Sequence, residues 1–152
     1  MNIERAKQEI IHTVKAYTAR TPNGRFKIPV PRQRPILLIG PPGIGKTEIV
    51  RQAADFCDVG FVAYTITHHT RQSAVGLPVI TTESFAGTEY EVTHYTMSEI
   101  IGALYRCMEE TGKKEGILFI DEINCVSETL MPAMLQLLQG KTFGEYLSLI
   151  HI

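Results

Sequence analysis

The sequence predicts an α/β fold in which helices cover both faces of a mostly parallel β-sheet. Two short apolar runs, Ile36–Ile39 and Ile117–Ile120, have the length and composition of buried strands. The first run leads through a glycine-rich loop into a stretch with helical periodicity, and the second ends in two acidic residues. Strands that alternate with helices in this way are typical of parallel sheets.

The composition is that of one globular domain. The chain has 152 residues, of which 44% are hydrophobic and 20% charged, and its formal net charge is −1. This near-neutral charge gives no electrostatic reason to expect binding to nucleic acid or to a membrane surface. The sequence has no apolar stretch long enough to span a bilayer and no apolar signal-peptide core near its N-terminus. We therefore expect a cytoplasmic protein.

Apolar periodicity and turn residues predict the elements in chain order. The glycine-rich loop separates the first strand from the helix that follows it. A β-hairpin is predicted where two β-rich segments flank residues 83–87. The predicted elements are a helix over 3–20, a Pro- and Arg-rich connector over 21–35, strand 36–39, helix 48–57, strand 60–66, a short helix over 71–76, hairpin strands 79–82 and 90–95, a helix from the cap Ser98 to Thr111, strand 117–121 and a helix over 127–139.

The loop Gly40–Thr47 has the pattern G-x-x-x-x-G-K-T, which is the phosphate-binding P-loop (Walker A) pattern. Glycines let the backbone N–H groups approach an anion, and the helix N-terminus that follows favours negative charge. Lys46 would contact the β- and γ-phosphates, and the Thr47 hydroxyl would coordinate Mg²⁺. The predicted cofactor-binding residues are Gly40, Pro41, Pro42, Gly43, Ile44, Gly45, Lys46, Thr47, Glu48 and Asp121.

The second candidate motif is the pair Asp121–Glu122 at the end of the apolar run 117–120. Ligands of open α/β sheets lie at the carboxyl ends of the strands, so the pair would face the phosphate loop. Asp121 would hold Mg²⁺ through its water shell, together with Thr47. Glu122 would act as the general base that activates water, so the predicted catalytic residues are Glu122 and Lys46.

With both motifs in place, the chain resembles the AAA+ ATPases, in particular the MoxR and dynein-related branch. The resemblance rests on GPPGIGKT at 40–47, on ILFIDEIN at 117–124 (Walker B) and on the helix that follows. It implies a P-loop NTPase fold with three layers, α/β/α, and ATP and Mg²⁺ as ligands. It also implies a homo-oligomeric ring that remodels a protein client, which the hairpin over 79–95 would contact. Asn124 would help to orient Glu122.

The C-terminal part departs from this family. Relatives have a sheet order of 5-1-4-3-2, and no motif here matches strands 4 and 5, the sensor asparagine, the arginine finger or the lid. We interpret residues 1–152 as a partial AAA+ domain, incomplete at the C-terminus: helix 3–20, connector 21–35, the part from P-loop to following helix 36–140, and a truncated tail 141–152. Without strand 4, backbone groups would be unpaired, so we expect a poorly stable or aggregating chain with little hydrolysis of its own.

Three other functions are compatible with these motifs. The chain could be a nucleotide-binding switch module without turnover, a P-loop kinase for a small molecule, or a non-enzymatic remnant. A kinase would need an acceptor pocket and lid arginines, and the tandem Asp121–Glu122 favours an ATPase instead. We therefore favour ATP hydrolysis.

Overall fold

The computed structural model describes residues 2–68, 70, 74, 76–143 and 146–147. The predicted short helix over 71–76 lies largely outside the described residues, as does most of the predicted tail. The helices are α1 (Ile3–Thr18), α2 (Lys46–Cys57), α3 (Glu99–Thr111) and α4 (Met131–Gly140); the strands are β1 (Gly60–Thr65), β2 (Pro78–Phe85), β3 (Thr88–Tyr95), β4 (Gly116–Asp121), β5 (Thr142–Phe143) and β6 (Tyr146–Leu147).

The central sheet consists of β1 and β4, which pair in parallel. Their register runs from Gly60 opposite Gly116 to Thr65 opposite Asp121. Both strands therefore end at the same edge, and Asp121 lies at that edge. The connection between them passes through α3, as a parallel pair requires. The predicted strands 60–66 and 117–121 are confirmed.

Two hydrophobic cores lie on opposite faces of this sheet. Ile117 and Phe119 pack with α1 and α2, whereas Leu118 and Ile120 pack with α3 and α4. This alternation follows from the two-residue period of a strand. Helices thus cover both faces, and the predicted three-layer α/β/α arrangement is confirmed.

The segment Ile36–Ile39 is not a strand in the structure, so this part of the prediction is wrong. It is extended, but it pairs with no strand among the described residues. Leu37 and Ile39 are 68% and 89% exposed. An apolar run becomes a strand only when a neighbouring strand accepts its backbone hydrogen bonds. In the described part of the chain, β4 pairs with β1 alone and offers no such partner to this segment.

Several element boundaries differ from the prediction, most clearly those of α4 and of the hairpin. Helix α4 begins at Met131 rather than at Ser127, and the Ser127 hydroxyl bonds to the Thr129 hydroxyl at 3.1 Å instead of capping the helix. The predicted hairpin is confirmed with longer strands. Its turn contains only Ala86 and Gly87, and both have positive φ, as the favoured two-residue hairpin turn requires.

A buried polar network joins the connector to the end of α4. The Gln33 amide nitrogen donates to the carbonyl oxygens of Tyr17 and Ile28, at 3.2 and 2.8 Å. The Lys141 ammonium donates to the Gln33 amide oxygen at 3.1 Å and lies over the Tyr17 ring. Lys141 is only 1% exposed, and no carboxylate among the described residues forms an ion pair with it. Burial lowers its pKa to about 8.

This buried cation predicts an unusual dependence of stability on pH. An unfolded lysine has a pKa of about 10.4, so between pH 8 and that value the unfolded chain binds more protons than the folded chain. The free energy of unfolding attributable to Lys141 should therefore rise with pH across this window, by about 3 kcal/mol at most. Below pH 8 the cost of burying the charge is fully present.

Denaturant unfolding between pH 7 and 10.5 measures this contribution. Lys141→Met should be more stable than the parent chain near pH 7, and the difference should shrink as pH rises. Lys114→Met, at an exposed position, is the matched control and should show no such trend. A constant difference between Lys141→Met and the parent at all pH values would contradict the prediction.

The unpaired segment 36–39 predicts self-association. Exposed apolar side chains on a backbone with free hydrogen-bonding groups are a template for pairing with another chain. The double substitution Leu37→Thr with Ile39→Thr should reduce association in sedimentation and light-scattering measurements. Phe56→Gln removes an apolar side chain that is 64% exposed on α2, where the backbone is already hydrogen-bonded. If this control reduced association equally, the cause would be non-specific hydrophobic association and not strand pairing through segment 36–39.

Candidate functional site

The glycine-rich loop leads directly into the N-terminus of α2. Its N-cap, Gly45, has φ of 86° and no side chain, so no side-chain hydrogen bond caps the helix. Gly43 also has a positive φ, of 78°. Glycine adopts this left-handed conformation without steric cost. The first N–H groups of α2 thus remain available to an anion, and the positive end of the helix dipole favours one.

Lys46 and Thr47 occupy the first turn of α2, and both are half-buried. The Lys46 ammonium donates to the carbonyl oxygens of Gly40 and Pro41, at 3.1 and 2.9 Å. The lysine therefore folds back over the loop that precedes it. A lysine has three N–H donors, so a phosphate can be bound by the third donor or by exchange with these carbonyl groups.

Glu48 is also in the first turn, but its carboxylate is used within the helix. Its two oxygens accept two N–H groups of the Arg51 guanidinium, at 2.6 and 2.9 Å, and one of them also accepts the Gln52 amide N–H. The hydrogen bond from Arg51 is the main reason that the pKa of Glu48 falls to about 2. The Glu48 carboxylate is thus engaged within α2, and the Glu48 backbone N–H belongs to the first turn of the helix.

The two acidic residues differ in backbone conformation. Asp121 is the last residue of β4, and its Oδ1 accepts the Glu122 N–H at 2.9 Å. This bond fixes the orientation of the Asp121 carboxylate. Glu122 has φ of 56°, a left-handed conformation that is rare for a residue with a side chain. Its side chain is exposed at the turn where the strand ends.

The loop and the acidic residues line one cavity of about 1190 Å³. The lining includes Lys46 and Thr47 on one side and Asp121 and Glu122 on the other. Pro41 and Ile44 of the predicted set do not line it, whereas Gly40, Pro42, Gly43, Gly45, Lys46, Thr47, Glu48 and Asp121 do. The volume exceeds the ~300–1000 Å³ of common ligand pockets, because the cavity continues between segment 36–39 and β4.

The donor set of this cavity fits a hard divalent cation. Thr47 supplies a hydroxyl oxygen and Asp121 a carboxylate oxygen, which are the ligand types that Mg²⁺ prefers. Among the described residues, no group of three His, Cys, Asp or Glu side chains could hold a metal ion by itself. A cation at this position would therefore need further oxygen ligands from a phosphate or from water.

The cavity lining includes residues that were not predicted as site residues, and Tyr17 and Asn124 differ most clearly from expectation. Tyr17 of α1 lines the cavity, and its hydroxyl donates to the carbonyl oxygen of Arg34 and accepts the Arg34 N–H, both at 3.1 Å. No sequence pattern singles it out. The Asn124 amide donates to the Cys125 sulfur at 3.3 Å and makes no hydrogen bond to Glu122 in the described part of the chain, contrary to prediction.

The three-layer fold and the glycine loop at a helix N-terminus define the chain as a P-loop NTPase. The family model for the AAA domain of the dynein-related subfamily matches residues 35–148. The chain belongs to this family, and the resemblance to AAA+ ATPases is confirmed. Comparison with curated proteins and with solved structures found no match. Within the described residues, the helices include none that is both long and apolar enough to cross a membrane.

Proposed function

We propose that this chain binds Mg·ATP in the cavity between the glycine loop and the tip of β4 and is the hydrolytic core of a MoxR-like remodelling ATPase. The observation that carries the proposal is that Lys46, Thr47, Asp121 and Glu122 line the same cavity. Backbone N–H groups, one ammonium group and two carboxylates there are groups that phosphoryl transfer to water uses to bind phosphate, hold a metal ion and activate water.

Each residue has a distinct role in this proposal. Lys46 and the N–H groups of α2 bind the β- and γ-phosphates. The Glu122 carboxylate takes a proton from a water molecule as the water oxygen bonds to the γ-phosphorus. The bond from that phosphorus to the β-bridging oxygen breaks, and ADP and phosphate leave. Thr47 and Asp121 would hold Mg²⁺, which when bound neutralises charge on the phosphates.

The exposed hairpin formed by β2 and β3 supports a role in contacting a protein partner. Both strands are exposed along most of their length, and their described packing is mainly with each other. In the proposed assembly, a homo-oligomeric ring brings neighbouring subunits together, and the hairpin transmits the effect of hydrolysis to the client. The chain acts on protein and not on nucleic acid.

Lys46→Ala should weaken ATP binding at least tenfold, because it removes the only side-chain cation predicted to contact the phosphates. Binding can be measured with a fluorescent ATP analogue in the presence of Mg²⁺. Lys114→Ala removes an exposed lysine that does not line the cavity and should bind as the parent does. Equal binding by Lys46→Ala and the parent chain would exclude the glycine loop as the phosphate site.

Glu122→Gln should retain ATP binding and lose turnover at least ~100-fold, as expected when a general base is removed. Phosphate release at saturating Mg·ATP in the oligomeric form measures this loss. Glu128→Gln, at an exposed position outside the cavity lining, should hydrolyse ATP at the parent rate. Binding without turnover in the parent itself would favour the nucleotide switch, and transfer of phosphate to a small molecule would favour the kinase.

A further inference from the structure

The hairpin has one face that is exposed along its whole length. We define this open face by the alternate residues that the pairing register places together: Pro78, Ile80, Thr82, Ser84, Glu89, Glu91, Thr93 and Tyr95. All eight are exposed. On the opposite face, Glu83 pairs with His94, and the rings of Phe85 and Tyr90 lie 6.1 Å apart. For the described residues of the open face, the structure shows no such pairing.

The charge on the hairpin has a single sign. Residues 78–97 contain three glutamates and no lysine or arginine, although the whole chain is nearly neutral. Glu83 bonds to the His94 ring on the opposite face. Glu89 and Glu91 form no hydrogen bond or ion pair with any described residue. They lie on the same face of β3, two residues and therefore about 7 Å apart.

The base of the open face is apolar, and among the described residues neither outer edge of the hairpin pairs with another strand. Ile80 is 68% exposed and Tyr95 is 53% exposed. Strand β3 pairs with β2 only, among the described residues, so the hydrogen-bonding groups of its outer edge are available. An added strand has the same two-residue period as β3. Its alternate side chains would therefore follow Glu89, Glu91, Thr93 and Tyr95 in turn.

We propose that the hairpin binds an extended, basic segment of a client protein, added as a strand at the edge of β3. Two lysines or arginines at alternate positions pair with Glu89 and Glu91, and apolar residues further along contact the base of the open face. The two glutamates would repel an acidic segment or a nucleic acid. This inference rests on the proposed function, because it specifies the chemistry of the client.

A fluorescence-anisotropy experiment tests this inference. The probe is a dye-labelled peptide, Lys-Thr-Lys-Thr-Val-Thr-Phe, and the control peptide has glutamate in place of both lysines. The lysine peptide should bind and the glutamate peptide should not, and binding should weaken as salt is added. The double variant Glu89→Gln with Glu91→Gln should bind the lysine peptide at least fivefold more weakly.

The matched control is Glu109→Gln with Glu110→Gln, which makes the same charge change at exposed positions on α3. It should bind within about twofold of the parent chain. An equal loss in both double variants would show non-specific attraction and overturn the inference, as would absence of binding to the lysine peptide. The assay contains no nucleotide. Failure here would leave ATP turnover intact, whereas failure of the proposed function would appear in the turnover assay.

Discussion

The structure depends on the parallel pairing of β1 with β4. Consecutive residues of β4 pack into different cores, with Ile117 on one face of the sheet and Leu118 on the other. A slip of one residue would exchange these faces and bury the wrong side chains. The same pairing sets Asp121 at the edge of the sheet opposite Thr65. Packing of the two cores therefore determines where the acidic residues meet the glycine loop.

The elements that the sequence predicts well are those stabilised by local features. Helix α3 begins at the Ser98 cap and ends at Gly112 with positive φ, as its capping residues indicate. The glycine pattern of the loop and the acids after β4 likewise identify the candidate site, because these residue types are needed for its chemistry. Such signals are contained within a few consecutive residues.

The features that the sequence does not predict depend on distant partners. Whether Ile36–Ile39 forms a strand depends on the residues beside it in space, and its composition alone is misleading. The burial of Lys141 against Gln33 joins residues more than a hundred positions apart, and nothing in either local sequence indicates it. The position of Tyr17 in the cavity lining likewise depends on a contact outside its own helix, the hydrogen bond to Arg34.

The N-terminus of α2 has a consequence for how folding and ligand binding are linked. Because Gly45 provides no side chain, the anion-binding groups there are largely peptide N–H groups, which converge only when the helix and loop are formed. An anion that binds at this position has no equivalent target on the unfolded chain. Its binding energy therefore adds to the stability of the native state, by an amount that grows with the logarithm of its concentration.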